Sequence, residues 1–116
     1  MTLQKKEKIA NQDRPVNLAP GLLKPGINIS SHAIDFVISG KPEQTVHWVG
    51  DYNDWSVEKS LKYEKDIQGF RFHMPASSFG IYFYKWVVDG KWILDPNNPE
   101  YYTNGTMGTN SMVKMP

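Results

Sequence analysis

The stretch IYFYKWVVDGKWIL, residues 81–94, decides the fold class of this 116-residue chain. Its first eight residues alternate with a period of two, so the even-numbered side chains share one face of a strand and the odd-numbered side chains share the other. The pair Asp89-Gly90 is typical of a two-residue hairpin turn, so residues 91–94 are expected to return antiparallel. The stretch therefore predicts a strong β-hairpin.

Shorter segments of the same period occur on both sides of this hairpin. Strands are predicted at residues 34–39, 45–49, around Leu61 and Tyr63, 69–74 and 111–115. No run of ten or more residues carries a helical stripe, and residues 95–99, DPNNP, form a long turn. Seven to eight short strands within about ninety residues predict an all-β sandwich.

The composition indicates how the chain is divided into an arm and a domain, and which classes of partner are disfavoured. Residues 1–26 are polar and rich in Lys, Pro and Gly, which predicts a flexible N-terminal arm before one domain at residues 27–116. The 13 basic and 12 acidic residues give a net charge of +1, which favours neither nucleic acid nor a membrane as partner. There is no cysteine, and neither a signal peptide nor a membrane span is recognised. A soluble, cytoplasmic domain is expected.

The four tryptophans differ in their surroundings. Trp48 and Trp86 lie mid-strand in apolar rows and are predicted to be in the core. Trp55 follows the turn composition Asp-Tyr-Asn-Asp and is predicted to be exposed. Trp92 lies two residues past the hairpin turn, where either face is open to it. Exposed indoles among small polar residues favour a ligand with an apolar face, such as a sugar ring.

Three further residues are candidates for such a site. Lys85 interrupts an apolar strand; it either lies on a solvated outer face or donates hydrogen bonds to sugar hydroxyls beside a tryptophan. Asn110 follows a glycine loop and by itself indicates only a turn. Met107, near Gly105 and Gly108, is either an exposed apolar finger or a plug in the end of the sandwich.

The residues that catalysis would need are not arranged for it. There is no Gly-x-Ser-x-Gly elbow, and His32, His47 and His73 lack metal-ligand spacing. Glycoside hydrolysis needs two acidic residues that flank the glycosidic bond in a deep cleft, but the acidic residues here lie in charged loops with no sign of such a cleft. No phosphate-binding loop occurs either. The chain is therefore expected to be non-catalytic, without a metal or other cofactor.

Four motifs, in order and with fitting spacing, resemble the family 48 carbohydrate-binding modules. They are VGDYNDW (residues 49–55), YFYKWVVDGKW (82–92), DPNNP (95–99) and NSMV (110–113). The family includes the glycogen-binding domain of the AMP-activated protein kinase β subunit and the domains before the catalytic barrels of branching and debranching enzymes. The resemblance covers residues 34–115. It implies an early-set, immunoglobulin-like β-sandwich that binds α-1,4-glucans such as glycogen, starch and malto-oligosaccharides.

The resemblance also implies a set of carbohydrate-binding residues. Trp55 and Trp92 match the family's two stacking tryptophans, Lys85 and Asn110 match residues that bond sugar hydroxyls, and Met107 lies near an apolar loop residue that inserts against the glucan. A glycogen-metabolising enzyme or kinase is an implied protein partner.

The chain departs from the family pattern in several places. Residues 1–26 have no counterpart, Phe79 replaces a small, acidic or Pro residue, and Tyr101-Tyr102 is unusually aromatic. The tyrosine pair either adds a platform for the ligand or packs the end of the sandwich.

Other functions remain open at the level of sequence. The same sandwich suits a protein-interaction module, or an accessory domain of a glucan-processing enzyme without its own sugar binding. A single-stranded nucleic-acid binder is a further alternative, since bases also stack on aromatic rings.

Overall fold

Two antiparallel β-sheets pack against each other in the computed structural model, which describes residues 23–75, 80–106 and 108–115. The first sheet has the order β1-β2-β5-β4, and the second has the order β3-β6-β9-β8, with β7 paired to β6. The strands of the first sheet are β1 (Gly26–Ile29), β2 (Ala33–Ser39), β4 (Tyr63–Glu64) and β5 (Gly69–Pro75). Those of the second are β3 (Val46–Gly50), β6 (Gly80–Val88), β7 (Lys91–Ile93), β8 (Tyr101–Asn104) and β9 (Gly108–Met115).

The strand order is that of an immunoglobulin-type sandwich. The orders β1-β2-β5-β4 and β3-β6-β9 correspond to strands ABED and CFG of that fold, and β7 and β8 are additions between strands F and G. All pairings are antiparallel. The predicted all-β, immunoglobulin-like sandwich is therefore confirmed.

The described residues form nine strands, against the seven to eight expected. The two unpredicted strands are β1, which begins at Gly26 inside the predicted arm, and β8, whose four residues are all exposed. The glycine and proline residues before β1 concealed the first, and the absence of an apolar alternation concealed the second. The rest of the arm up to residue 22 lies outside the described residues, as do Phe79 and Met107. No helix within the described ranges has the length and apolarity to cross a bilayer.

Aromatic rings fill the space between the sheets. Trp48 stacks on Phe72 with ring centroids 4.2 Å apart and planes 2° from parallel, and Phe36 packs 5.0 Å from Trp48 and 4.7 Å from Tyr84. Trp48 and Trp86 are paired across β3 and β6, and at 2% and 0% exposure they confirm the core positions predicted for them. Because these residues alternate along β3 and β6, the residues between them must face away from the core.

A buried polar cluster ties the turn after β7 to the second sheet. The Tyr84 hydroxyl donates to Asp95 Oδ2 (2.7 Å) and accepts from Asn98 Nδ2 (2.9 Å), and the Asp95 backbone N–H donates to Ser111 Oγ (2.8 Å). Asp95 and Ser111 are buried. Since unpaired polar groups in such a place are costly, these bonds anchor the DPNNP turn between β6 and β9.

Alkaline pH is expected to destabilise the fold through Tyr84. Burial, together with the neighbouring Asp95 carboxylate, raises the pKa of Tyr84 well above its usual value. An unfolded tyrosine ionises near pH 10, so above about pH 10 the unfolded chain binds fewer protons than the folded one and stability falls by up to about 1.4 kcal/mol per pH unit. Urea unfolding between about pH 8 and pH 10.5 would measure this slope.

The Tyr84→Phe variant isolates this contribution. It should be less stable at neutral pH by about 1–3 kcal/mol, because the Asp95 carboxylate loses a donor, yet lose less further stability at alkaline pH. Tyr101→Phe, at an exposed position, serves as the control and should behave as the wild type. Equal alkaline slopes for wild type and Tyr84→Phe would contradict the assignment.

Candidate functional site

The outer face of the second sheet, turned away from the core, collects most of the candidate residues. The pairing register places the side chains of His47, Val87 and Trp92 in one row across β3, β6 and β7. The next row along β6 pairs Val49 with Lys85. We use the term outer face for this surface throughout.

Trp55 reaches the outer face by way of a tight loop after β3. Residues Asp51–Asn53 form a single 3₁₀ turn, and the Trp55 backbone N–H donates to the Gly50 carbonyl (2.9 Å). The Asn53 side chain fixes the loop from beneath: its Oδ1 accepts from the Gly50 N–H and its Nδ2 donates to the Trp48 carbonyl, each at 3.0 Å. The loop is thus bonded to the end of the strand that it follows.

The carboxylate of Asp51 orients the indole of Trp55. Its Oδ1 accepts from Trp55 Nε1 (3.3 Å), and its Oδ2 accepts from the backbone N–H of Phe83 (2.9 Å). Phe83 lies on β6 just beyond the end of its pairing with β3, so its N–H would otherwise lack a strand partner on that side. Asp51 therefore connects the position of the indole to the central strand of the sheet.

The backbone of this loop is strained. Asp54 and Trp55 have φ values of 56° and 59°, a left-handed conformation that is a clear outlier for a residue as bulky as tryptophan. Each such residue costs on the order of 1–3 kcal/mol, and strain of this kind concentrates at ligand sites. It is maintained here by the hydrogen bonds of Gly50, Asp51 and Asn53. Its result is an indole above the outer face that is half-buried and not exposed as predicted, because the Asp51 carboxylate and the outer-face residues of the sheet lie against it.

An open depression of about 170 Å³ lies beside this indole. We call it the Trp55 depression; it is lined by Asp51, Trp55, Phe83, Tyr102, Asn104 and Asn110. A cavity of about 150 Å³ holds one benzene ring, so the Trp55 depression has room for a single six-membered ring. Three of its lining residues are aromatic, and the other three, Asp51, Asn104 and Asn110, are polar.

Trp92 lines a second depression on the same face, which we call the Trp92 depression. Its volume is about 420 Å³, and its lining residues are Thr45, His47, Val57, Val87, Asp89, Gly90 and Trp92. Trp92 is 49% exposed although it is paired with the buried Val87. The hairpin turn places Trp92 opposite Val87 on the outer face. Asp89 and Gly90 in this turn have φ values of 50° and 83°, as a two-residue primed turn requires.

Lys85 and Asn110 lie near each other on the outer face. Tyr84 pairs with Ser111, so the next residues along the two strands, Lys85 and Asn110, take adjoining positions. Both side chains are half-buried, and neither has a hydrogen bond or ion pair to another described residue. Their donor and acceptor atoms are therefore not used within the part of the chain that the structure describes.

The structure thus brings four of the five predicted residues to one face but not into one pocket. Trp55 and Asn110 line the Trp55 depression, Trp92 lines the other, and Lys85 lies on the same face. The fifth, Met107, lies outside the described residues. Sequence reasoning missed Asp51 and Val57, whose roles depend on how the loop after β3 folds, and no local pattern signals them.

The described residues hold no group of three or more His, Asp or Glu side chains that could bind a metal ion. Of the three histidines, His47 Nδ1 lies 2.8 Å from the Lys59 carbonyl and His73 Nδ1 lies 2.8 Å from Asp35 Oδ1. Both contacts are with protein groups.

Comparison with known proteins does not extend this description. No protein-family model matches the chain, and no curated protein matches it in sequence. The likeness to carbohydrate-binding modules accordingly depends on the four sequence motifs alone.

Proposed function

We propose that the outer face of the second sheet binds an α-1,4-glucan and that the protein acts as a non-catalytic carbohydrate-binding module. The observation that carries the proposal is the placement of two indoles, the half-buried Trp55 and the exposed Trp92, on one face. Lys85 and Asn110, whose side chains bond to no other described residue, lie on the same surface. In this role the module would hold an enzyme or kinase of glycogen metabolism on its polysaccharide.

The expected affinity follows from the contacts available. Covering the apolar face of a glucosyl ring with each indole contributes about 1.5–3 kcal/mol. Each hydrogen bond exchanged with water at Lys85 or Asn110 adds about 0.5–1.5 kcal/mol. Ordering of the flexible glucan opposes these gains. The net is a dissociation constant between about 1 μM and 1 mM for an oligosaccharide, and branched polymers gain further by offering many equivalent sites.

Titration with maltoheptaose, followed by tryptophan fluorescence, tests the proposal. Saturable binding should persist almost unchanged between about 0.05 M and 1 M NaCl, because the contacts are largely uncharged. A β-linked glucan of equal length should bind less well, since its chain is extended and would not follow a surface that fits the curved α-linked chain. A single-stranded oligonucleotide is the second control.

Two results would contradict glucan binding. If the protein bound none of the α-glucans tested, the outer face would instead be interpreted as a surface for a protein partner. Binding of the oligonucleotide that falls steeply with salt would instead indicate a nucleic-acid ligand, as phosphate contacts require.

A further inference from the structure

Tyr102 is the third aromatic residue of the Trp55 depression, beside Trp55 and Phe83. Tyr102 belongs to β8, the outermost strand of the second sheet, and is 53% exposed. Its ring centroid lies 5.9 Å from that of Phe83, with the planes tilted by 45°. Tyr102, Phe83 and Trp55 all line the same depression.

The register of β8 determines the side of the sheet on which Tyr102 lies. Tyr102 pairs with Asn110, and its neighbour Tyr101 pairs with Ser111, which is 1% exposed and points to the core side. Because adjacent residues of a strand point to opposite faces, Tyr102 shares the outer face with Asn110 and Tyr101 does not. Two neighbouring exposed tyrosines are therefore distinguished by geometry alone.

We propose that Trp55 and Tyr102 are the two walls of a subsite that holds one glucosyl ring of an α-glucan, with Phe83 as its floor. This inference rests on the proposed function and assigns to it a contact that is distinct from those at Trp92. The depression has room for one six-membered ring, and its lining combines three aromatic residues with the polar residues Asp51, Asn104 and Asn110, which suit the apolar face and the hydroxyls of a sugar.

The position of this subsite sets a requirement on the length of the ligand. Phe83 at its floor and Val87 beside Trp92 are four residues apart on β6, which corresponds to ~13 Å along the strand. A monosaccharide cannot reach both places, whereas a longer α-glucan can occupy both. Affinity should therefore rise with chain length until both depressions are filled and change little beyond that.

The pair Tyr102→Ala and Tyr101→Ala tests the subsite with a matched control. With maltoheptaose as ligand, Tyr102→Ala should weaken binding by about three- to ten-fold, the loss expected for one aromatic contact, and Tyr101→Ala should leave it unchanged. Tyr102→Phe, which keeps the ring, should restore most of the affinity. With maltose, which is too short to bridge the depressions, Trp92→Ala and Tyr102→Ala should each remove one of two weak sites.

A double-mutant cycle measures the coupling energy between Trp55 and Tyr102 in ligand binding, which would be absent if Tyr102 only stabilised the fold. If Trp55 and Tyr102 enclose the same ring, the losses in Trp55→Ala and Tyr102→Ala should not add in the double variant. Additive losses, or equal affinities for Tyr101→Ala and Tyr102→Ala, would overturn the subsite. If binding still depended on Trp92 in that case, the proposed function would stand. A wild-type protein that binds no maltoheptaose would overturn both.

Discussion

Replacing Trp92 by alanine should weaken maltoheptaose binding by about ten- to a hundred-fold, the equivalent of the roughly 1.5–3 kcal/mol that one indole contributes by covering a sugar ring. The fold should be nearly unaffected. Trp92 is 49% exposed and lies on the short strand β7, outside the core cluster of Trp48, Tyr84 and Trp86, so the free energy of unfolding should change by less than about 1 kcal/mol. Isothermal titration and urea unfolding of the same preparation measure the two quantities.

Ile29→Ala is the matched control for this experiment. Ile29 is an equally exposed apolar residue, at 48%, but it lies on β1 of the other sheet. It should therefore retain the wild-type affinity. Equal affinities for Trp92→Ala and the wild type would remove the Trp92 depression from the binding surface, and a comparable loss in Ile29→Ala would show that the effect of Trp92→Ala is not local.

Gly50→Ala should damage both stability and binding. A Cβ at residue 50 would lie 2.5 Å from the Phe83 carbonyl oxygen, 2.8 Å from Tyr84 Cβ and 2.9 Å from Trp48 Cη2. Two of these neighbours are held in β6 and the third is in the core, so β3 must move away from β6. A loss of about 1–3 kcal/mol in the free energy of unfolding is expected, as for other overpacked sites.

The effect of Gly50→Ala on binding follows from the loop after β3. The Gly50 carbonyl accepts the Trp55 N–H, and the Gly50 N–H donates to Asn53, so displacement of this residue displaces the indole. Affinity for maltoheptaose should fall by at least about ten-fold even at temperatures where the variant is folded. Gly105→Ala is the control, because a Cβ there meets open space and should change neither quantity. A Gly50→Ala variant of unaltered stability would contradict the packing described here.

The elements with the strongest local patterns were predictable from the sequence. The alternation of β6 fixes which of its side chains face the core, and Asp89-Gly90 fixes the register of β7 through a two-residue turn; both are local effects. The core positions of Trp48 and Trp86 follow from the same alternation. β1 and β8 were not predictable, since their strand conformation depends on pairing with β2 and β9 and not on their own composition.

For the candidate site, the sequence could name residues to examine but not their layout. Motif resemblance named Trp55, Trp92, Lys85 and Asn110. The pairing register places Trp92, Lys85 and Asn110 on one face, and the loop after β3 brings Trp55 beside Asn110. The separation into two depressions depends on how the loop after β3 lies over β6, which is set by the carboxylate of Asp51 and by two left-handed residues. Such long-range hydrogen bonds and unusual backbone angles produce no periodic pattern of residues from which they could be predicted.

The bonded loop that carries Trp55 also bears on the kinetics of ligand capture. Gly50, Asp51 and Asn53 hold the indole in position before any ligand arrives, so a glucan bound as proposed would not have to order this loop. Encounter should consequently proceed at the rate of rigid docking, and oligosaccharides of different length should differ mainly in how long they stay bound.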